Sequence, residues 1–444
     1  MMPKVLPGFR DFYPEDFALR AHIVDTWRRV ARSYGFEEYD GPPLEPLELY
    51  TAKSGAEIVG QLYNFVDKGG REVALRPEMT PTLARMVAAR ANGLRKPIRW
   101  FSIPQLFRYE RQQRGRLREH FQLNCDLIGE PGPLGDAEII ALAIDVMRAF
   151  GLGPADVRVR LSDRRVLATL LKGAGLTDDQ LPAAYAAVDK VERMKHEDLV
   201  AMLAEQGITA SQAGCILEIA GIRGWDAVQR ALLGVPNGDR EAEPLRQTLD
   251  ALSAMGLAEF VDVDLTIVRG LAYYTGTVFE LFDAGRSLRA ICGGGRYDTL
   301  LGALGGVDLP ALGFGMGDVV LSELLKDRGR LPELPASIDV FVASVTDEDR
   351  PYVMALAHEL RDRGIRTEYA LESRPLNKQL GLAGARRARF AVVIGPDDRA
   401  RDAVMLKDLT QKMQASVPRA AIAAELAGRL GGSRSSLTDH PSPS

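Results

Sequence analysis

The chain has 444 residues, of which 46% are hydrophobic and 26% charged, so it is long enough for two or three domains and apolar enough to fold. Lysine and arginine number 56 against 60 acidic residues, a formal charge of −4, which excludes a protein that coats nucleic acid by bulk charge but allows local basic patches. The three scattered cysteines form no CxxC pair, which excludes a disulfide scaffold and a cysteine-rich zinc site.

The first residues, MMPKVLPGFRDFYPED, contain prolines and acidic groups where a secretory signal needs an apolar core. No stretch of the sequence approaches the roughly 18 apolar residues of a membrane span. We therefore expect a cytoplasmic protein with no membrane partner.

The first predicted elements alternate between helix and extended chain. Residues 15–35 place apolar groups at helical spacing and end at Gly35, a residue suited to a helix C-terminus. Pro42 and Pro43 follow in an extended segment and fit an edge strand or arm, because proline cannot donate a ladder hydrogen bond. The stretch REVALR predicts a strand that ends near Arg76, and a turn and a helix follow it.

The next segment predicts a hairpin and then a buried helix. IRWFSIPQLFRYERQQRGRLREHFQLNCDLIG has the pattern of two long strands around a loop at Gly115, and GDAEIIALAIDVMRAFG has the pattern of a helix that is apolar on most sides. A strand–loop–strand–helix order implies antiparallel pairing. The sequence therefore argues against an all-parallel nucleotide-binding fold.

Changes in residue pattern predict the domain boundaries. Helices rich in Ala, Leu and Asp occupy 161–251 and predict an insertion within a sheet domain of residues 1–325. The segment 326–336 is charged and contains proline, as expected of a linker. Alternating apolar runs and helices over 337–425 predict a small α/β domain with a mostly parallel sheet. The Ser/Pro/Gly-rich stretch 431–444 predicts a disordered tail.

The hairpin carries the first candidate site, because five arginines fall within eleven positions: Arg108, Arg111, Arg114, Arg116 and Arg118. A guanidinium grips phosphate oxygens in a bidentate way that lysine cannot copy. The last three arginines alternate and share one face of an extended strand. A solvated hairpin tip is the alternative explanation. Arg108 differs, since it follows an apolar pair and a half-buried arginine needs an anionic partner.

Three further motifs are candidates for ligand contact. In LRPEMT, Glu78 stands at a strand end where it could bind an amino group while Thr80 caps the next helix, although a simple N-cap box is the favoured explanation of this motif taken alone. VRGLAYYTGTVFE brings an arginine, a glycine and two tyrosines together. CGGGRYD and LGFGMG predict glycine turns near strand ends that let a ligand approach, with packing or a hinge as the alternative.

In this order, the motifs resemble the histidyl-tRNA synthetases, a class II aminoacyl-tRNA synthetase family, from Gly8 to about Met413. RGLAYYTGTVFE resembles the histidine-recognition signature of that family, and FRYER…GRLREHFQLNCDLIG resembles class II motif 2. The resemblance implies an α+β fold, in which an antiparallel sheet is flanked by helices and carries a helical insertion. It also implies a C-terminal α/β anticodon-binding domain.

The implied reaction is the activation of L-histidine by ATP to histidyl-adenylate, followed by transfer to histidine tRNA. An anionic carboxylate attacks an anionic α-phosphate, so cationic groups that neutralise the developing charge are the main requirement. By resemblance, Arg108 and Arg269 are the catalytic residues, with Arg108 gripping the α-phosphate and Arg269 approaching from the other side. ATP enters as its Mg²⁺ complex, and the resemblance implies no tightly bound cofactor and no metal held by protein side chains.

The resemblance also assigns the substrate contacts. The histidine-binding residues are Glu78, Met79, Thr80, Arg108, Gln122, Asp126, Arg269, Tyr273 and Tyr274. The ATP-binding residues are Arg108, Glu110, Arg116, His120 and Phe121. The residues at the tRNA acceptor end are Arg111, Gln112 and Gln113. The implied partners are histidine tRNA, L-histidine, ATP and a second copy of the chain, with Pro42 in the interface between the two copies.

The sequence departs from the family pattern at three places. Ala272 stands where the family commonly has an aspartate. The stretch that matches the end of motif 3, 315–320, has no arginine, and Arg289 or Arg296 are the candidates to compensate for it. His120 stands where an aromatic residue stacks on adenine, so either His120 or Phe121 would supply the stacking face.

Three other functions are alternatives for a sequence of this kind. A non-catalytic paralogue that regulates histidine biosynthesis shares this fold but lacks the C-terminal domain and usually the tyrosine motif. A synthetase for threonine, glycine or proline would resemble the C-terminal domain but not RGLAYYTGTVFE. A plain tRNA-binding module would not need Arg108, Gln122 and Arg269 together.

Arg269→Ala is expected to lower the kcat of adenylate formation by roughly 10²–10³-fold while changing the KM for histidine little, because the charge it meets grows only in the transition state. Single-turnover adenylation and thermal unfolding, measured on the same sample, test this expectation. A lowered melting temperature with an intact rate would show instead that Arg269 pairs with a carboxylate such as Asp262 or Glu280.

Overall fold

The structure is a computed structural model that describes residues 3–51, 60–109, 115–268, 274–332 and 336–434. The chain divides into two compact units, Met1–Pro332 and Glu333–Ser444. Within the described residues, no helix combines the length and the apolar composition that crossing a bilayer requires.

The first unit contains a large sheet, a small sheet and helices on either side. Its strands are β1 (Glu37–Glu38), β2 (Leu44–Pro46), β3 (Asn64–Val66), β4 (Glu72–Leu75), β5 (Ile98–Ser102), β6 (Gln105–Phe107), β7 (Glu119–Ile128), β8 (Val157–Asp163), β9 (Val261–Val263), β10 (Thr277–Asp283), β11 (Cys292–Arg296) and β12 (Ala311–Gly317). Its helices are α1 (Pro14–Ser33), α2 (Glu48–Thr51), α3 (Thr80–Arg90), α4 (Pro133–Ala149), α5 (Arg164–Gly173), α6 (Leu181–Lys190), α7 (His196–Ala204), α8 (Ala210–Ala220), α9 (Trp225–Leu232), α10 (Gly238–Ala254), α11 (Leu300–Gly305) and α12 (Asp318–Asp327).

The large sheet has the strand order β1-β5-β7-β12-β11-β10-β8-β9, with β6 paired to β7. The pairs from β5 through β8 are antiparallel, and parallel pairing is confined to the margins, at β1–β5 and β8–β9. The predicted antiparallel sheet is therefore confirmed. The small sheet has the order β2-β4-β3.

Helix α4 forms the centre of the core behind the large sheet. Most of its residues are buried, as expected of a helix that is apolar on nearly every side. It contacts β7, β11 and β12 on one side and α1 and α10 on the other. This packing holds the sheet rigid and leaves its opposite face to form a site.

The helical insertion consists of α5 to α10, which run from Arg164 to Ala254. The prediction of 161–251 placed its start three residues early, because Leu161, Ser162 and Asp163 end β8 and pair with β10. Asp163 then caps α5 by accepting a hydrogen bond of 2.8 Å from the backbone N–H of Arg165.

The second unit is a five-stranded sheet with helices. Its elements are β13 (Val340–Ser344), α13 (Arg350–Asp362), β14 (Thr367–Tyr369), α14 (Leu376–Ala385), β15 (Phe390–Ile394), α15 (Pro396–Ala400), β16 (Ala403–Asp408), β17 (Met413–Pro418) and α16 (Ile422–Arg434). The strand order is β14-β13-β15-β16-β17. The prediction of a mostly parallel sheet was wrong for β16 and β17, which form an antiparallel hairpin at one edge.

Two predicted boundaries differ from the structure. Helix α12 continues to Asp327, into the predicted linker 326–336. Helix α16 continues to Arg434, so the predicted tail 431–444 begins inside a helix. Leu426 and Leu430 pack this helix against the core of the second unit.

Arg296 is fully buried at the end of β11 and makes several hydrogen bonds at once. Its Nη2 donates to Asp136 Oδ2 at 3.0 Å and to the Gly132 carbonyl at 3.0 Å, and its Nη1 donates to the Glu130 carbonyl at 2.9 Å and to Asp298 Oδ1 at 3.2 Å. These contacts connect β11 to the start of α4. Arg296 therefore belongs to the framework of the sheet, and the expectation that it compensates in the ATP site is wrong.

Arg296→Ala is expected to destabilise the first unit by about 3–5 kcal/mol, because it leaves the buried Asp136 carboxylate without its cation. Denaturant unfolding followed by tryptophan fluorescence measures this change. Arg246→Ala, which removes an exposed ion pair with Glu243, is the control and should shift the midpoint little. Equal shifts for the two variants would contradict the structural role of Arg296.

Candidate active site

Two adjoining pockets lie on the face of the large sheet that α4 does not cover. The acidic pocket, of about 90 Å³, is lined by Glu78, Thr80, Arg108, Gln122, Asn124, Asp126, Tyr274, Gly293, Tyr297, Gly313, Phe314 and Gly315. The arginine pocket, of about 220 Å³, is lined by Arg108, Gly115, Arg116, Leu117, His120, Gln122, Glu280, Arg289, Ala290, Ile291, Cys292, Gly293, Gly315, Gly317, Val319 and Val320. Arg108 and Gln122 belong to both linings.

Glycines make room for these pockets. In the register of β11 and β12, Gly293 pairs with Gly315 and Gly295 with Gly313. A Cβ on Gly313 would lie 2.4 Å from Asp126 Oδ1, and a Cβ on Gly315 would lie 2.8 Å from Gln122 Cδ. The predicted glycine turns are therefore strand residues, and larger residues there would collide with the neighbouring side chains.

Strand β7 supplies the polar floor of the acidic pocket. Gln122, Asn124 and Asp126 alternate along the strand and therefore share the face that lines the pocket. Sequence analysis singled out the first and last of these residues but missed Asn124. Gln122 and Asp126 are four positions apart, so the residue midway between them, Asn124, lies on the same face of the strand and could have been predicted from that spacing.

Asp126 is buried, and its Oδ1 accepts a hydrogen bond from the Tyr297 hydroxyl. Burial raises the pKa of Asp126 to about 7, and the bond from Tyr297 opposes part of that rise. Asp126 is therefore poised to gain or lose a proton near neutral pH. Tyr297, which sequence analysis did not assign, follows the triple glycine of β11.

Glu78 and Arg108 meet at the mouth of the acidic pocket. Arg108 Nε donates to the Pro77 carbonyl at 2.9 Å, which brings the guanidinium to the loop that carries Glu78. Desolvation raises the pKa of the Glu78 carboxyl, and the positive charge of Arg108 opposes that rise. The carboxylate of Glu78 is thus the anionic neighbour expected for Arg108. The pocket that both residues line leaves space for a ligand beside the guanidinium.

Two residues near Glu78 differ from their predicted roles. Thr80 lines the acidic pocket but makes no side-chain cap on α3, of which it is the first residue. Met79 is buried beneath the loop, with its Sδ 3.9 Å from Arg76 Nη1, and it is not among the lining residues. Met79 therefore packs in the core instead of contacting a ligand.

His120 and Phe121 lie on opposite faces of β7. His120 lines the arginine pocket, where burial and the charges of Arg108, Arg10 and Arg116 lower its pKa to about 3. Its imidazole is therefore neutral at physiological pH. Phe121 packs against Phe12 on the other side, with ring centroids 6.1 Å apart, so the expectation that it contacts ATP is wrong.

Tyr274 packs over the glycines of the sheet. A Cβ on Gly295 would lie 3.0 Å from the Tyr274 ring, and the tyrosine is buried at the edge of the acidic pocket. The other predicted site residues, Glu110, Arg111, Gln112, Gln113, Arg269 and Tyr273, lie outside the described residues. Among the residues that the structure describes, no cluster of three His, Cys, Asp or Glu side chains could hold a metal ion.

The two pockets together suit a reaction between two anions. One pocket offers carboxylates and amides to an amino acid, the other offers arginines to a polyphosphate, and Arg108 stands where they join. An antiparallel sheet with this site on one face, followed by a separate α/β unit, defines a class II aminoacyl-tRNA synthetase.

Comparisons with known proteins specify the class further. Residues 8–318 match the family model for histidyl-tRNA synthetase, and residues 339–429 match that for an anticodon-binding domain. The histidine--tRNA ligase of Opitutus terrae is 47% identical over 93% of this chain and 95% of its own. That of Haloarcula marismortui is 42% identical over the same shares. The crystal structure of histidyl-tRNA synthetase from Nostoc sp. PCC 7120 has a TM-score of 0.82 and 28% identity, and covers 97% of this chain and 100% of its own.

The chain therefore belongs to the histidyl-tRNA synthetase family. Two pieces of the sequence, RGLAYYTGTVFE and the arginine-rich hairpin, already indicate this family by themselves.

Asp126→Asn is expected to flatten the pH dependence of stability. The folded chain holds a proton on Asp126 up to about pH 7, whereas the unfolded chain releases it near pH 4, so this group's contribution to stability is complete at low pH. It falls by up to roughly 1.4 kcal/mol per pH unit as the pH rises to 7.

The free energy of unfolding, measured from pH 5 to pH 8, tests this expectation. The variant should gain stability relative to the parent as the pH rises. Asp226→Asn, at an exposed position of α9, is the control. A difference between Asp126→Asn and the parent that is constant with pH would rule out a raised pKa at Asp126.

Proposed function

We propose that this chain ligates L-histidine to histidine tRNA through a histidyl-adenylate, with histidine in the acidic pocket and Mg²⁺-bound ATP in the arginine pocket. The observation that carries the proposal is the position of Arg108, which lines both pockets. A guanidinium at this junction contacts a carboxylate from one side and an α-phosphate from the other, and its charge does not change with pH.

The acidic pocket suits histidine because it presents groups to both ends of the molecule. Glu78, at the mouth, would accept hydrogen bonds from the α-amino group, with Thr80 beside it. Gln122 and Asp126 on the floor and Tyr274 at the edge would contact the imidazole. An amino acid without a polar ring would leave these buried groups unpaired, which is the strongest basis for discrimination in such a pocket.

The arginine pocket suits ATP in the same way. Arg108 would hold the α-phosphate and Arg116 the phosphates beyond it, while the neutral ring of His120 would stack on adenine. A carboxylate oxygen of histidine attacks the α-phosphorus, the bond to the bridging oxygen breaks, and pyrophosphate leaves with its electron pair. Arg269, by its family resemblance, would meet the same phosphate from the other side.

The remaining partners are histidine tRNA and a second copy of the chain. Residues 111–113 of the hairpin would meet the acceptor end of the tRNA, and the 339–429 domain would bind its anticodon. Leu44, Phe65 and Val66 of the small sheet are exposed in the single chain. Leu44 begins β2 two residues after Pro42, and β4 joins β2 to the strand of Phe65 and Val66. We place the homodimer interface there. Because ligation to tRNA serves translation, we place the activity in the cytoplasm.

The alternative of a non-catalytic regulatory paralogue has one supporting observation, the absence of an arginine at Val319 and Val320. The match of residues 339–429 to an anticodon-binding domain opposes it.

ATP–pyrophosphate exchange, measured with each of the twenty amino acids in turn, tests the proposal. Exchange that depends on histidine alone is expected. No exchange with any amino acid would support the regulatory paralogue, and exchange with a different amino acid would reassign the acidic pocket.

Glu78→Gln is expected to raise the KM for histidine at least about 30-fold, because truncating one partner of a buried charged contact costs roughly 2 kcal/mol or more. The KM for ATP should change little. Glu205→Gln, at an exposed position of the insertion, is the matched control for the exchange assay. An unchanged KM for histidine in Glu78→Gln would show that Glu78 does not hold the α-amino group.

A further inference from the structure

One wall of the arginine pocket lacks a cation. Val319 and Val320 line this wall from the first turn of α12. Asp318, which precedes them, is buried. Its Oδ2 lies 2.9 Å from Arg10 Nη1, and its Oδ1 accepts a hydrogen bond of 2.9 Å from the backbone N–H of Phe121. The side chains of Val319 and Val320 therefore present no charge to a ligand on this wall.

Arg289 approaches the same wall from the loop between β10 and β11. The point that a Cβ on Gly115 would occupy lies 3.3 Å from Val320 Cγ2 and 4.0 Å from Arg289 Cδ. The stem of Arg289 and the side chain of Val320 thus both approach Gly115, although the two residues are 31 positions apart in sequence. Arg289 is among the residues that line the arginine pocket, and it is exposed there.

We propose that Arg289 binds the β- and γ-phosphates of ATP and supplies the positive charge that Val319 and Val320 do not. The inference rests on the proposed function, because it requires ATP in the arginine pocket. Arg108 is committed to the junction with the acidic pocket. Three successive phosphates carry more charge than one guanidinium neutralises, so Arg116 and Arg289 divide the remainder.

The phosphate assignment is tested by substituting Arg289 and varying the nucleotide. In histidine-dependent pyrophosphate exchange, Arg289→Ala should raise the KM for ATP at least tenfold and leave the KM for histidine within about threefold. The KM for ATP of Arg289→Lys should lie between those of the parent and of Arg289→Ala, because lysine keeps the positive charge but lacks the planar guanidinium. Arg286→Ala is the matched control, because Arg286 lies on the same loop and pairs with Glu192 at 3.2 Å.

Inhibition constants separate the phosphates from the base. AMP lacks the β- and γ-phosphates, so its inhibition of Arg289→Ala should equal that of the parent, whereas a non-hydrolysable ATP analogue should inhibit more weakly. Equal weakening for AMP would overturn the phosphate assignment in favour of a contact with adenine or ribose.

Two other results would also overturn the inference. An unchanged KM for ATP with a lowered melting temperature would make Arg289 a structural residue. An effect of Arg286→Ala equal to that of Arg289→Ala would assign the loss to the loop. Failure of the proposed function is distinguishable from both, because the parent chain itself would then show no histidine-dependent exchange.

Discussion

The site depends on the pairing of β7 with β12, which places glycines opposite long polar side chains. Gly313 stands beside Asp126 and Gly315 beside Gln122 at distances that admit no Cβ. Because successive residues of a strand alternate between faces, a shift of one residue in this register would turn the glycines away and close both pockets. The helix α4 behind the sheet is buried over most of its length and packs against β7, β11 and β12.

Burial of the site acts on its titratable groups in opposite directions. The same desolvation raises the pKa of Asp126 to about 7 and helps to lower that of His120 to about 3. The acidic pocket thus contains a carboxyl group that accepts or releases a proton near neutrality. The arginine pocket contains an uncharged ring that adds no further positive charge among its arginines. The two pockets therefore differ chemically although they lie on one face of the sheet, because arginines line one and carboxylates line the other.

The sequence was sufficient to predict the antiparallel sheet, the helical insertion and several of the charged and polar residues that line the two pockets, since strand alternation and family motifs act locally. It was not sufficient where a residue's role depends on distant partners. Arg296 looked available beside a glycine run, yet its guanidinium is occupied by Asp136, 160 positions away. Phe121 looked equivalent to His120, yet its ring packs against Phe12 and the guanidinium of Arg20, whereas His120 lines the arginine pocket. The hairpin of β16 and β17 was missed because most of β17 is exposed and shows no apolar alternation.

The helical insertion is connected to the arginine pocket through Glu192, which follows α6. Its Oε1 lies 2.8 Å from Arg160 Nη2 on β8 and 3.2 Å from Arg286 Nη1 on the loop that carries Arg289. Arg160 is itself buried and paired with Asp264, so the carboxylate of Glu192 is anchored to the sheet. Both members of the Glu192–Arg286 pair are about half exposed, so this pair contributes little to the position of the loop. The insertion is therefore anchored to the large sheet through Arg160, whereas its contact with the loop that carries Arg289 is an ion pair at the surface.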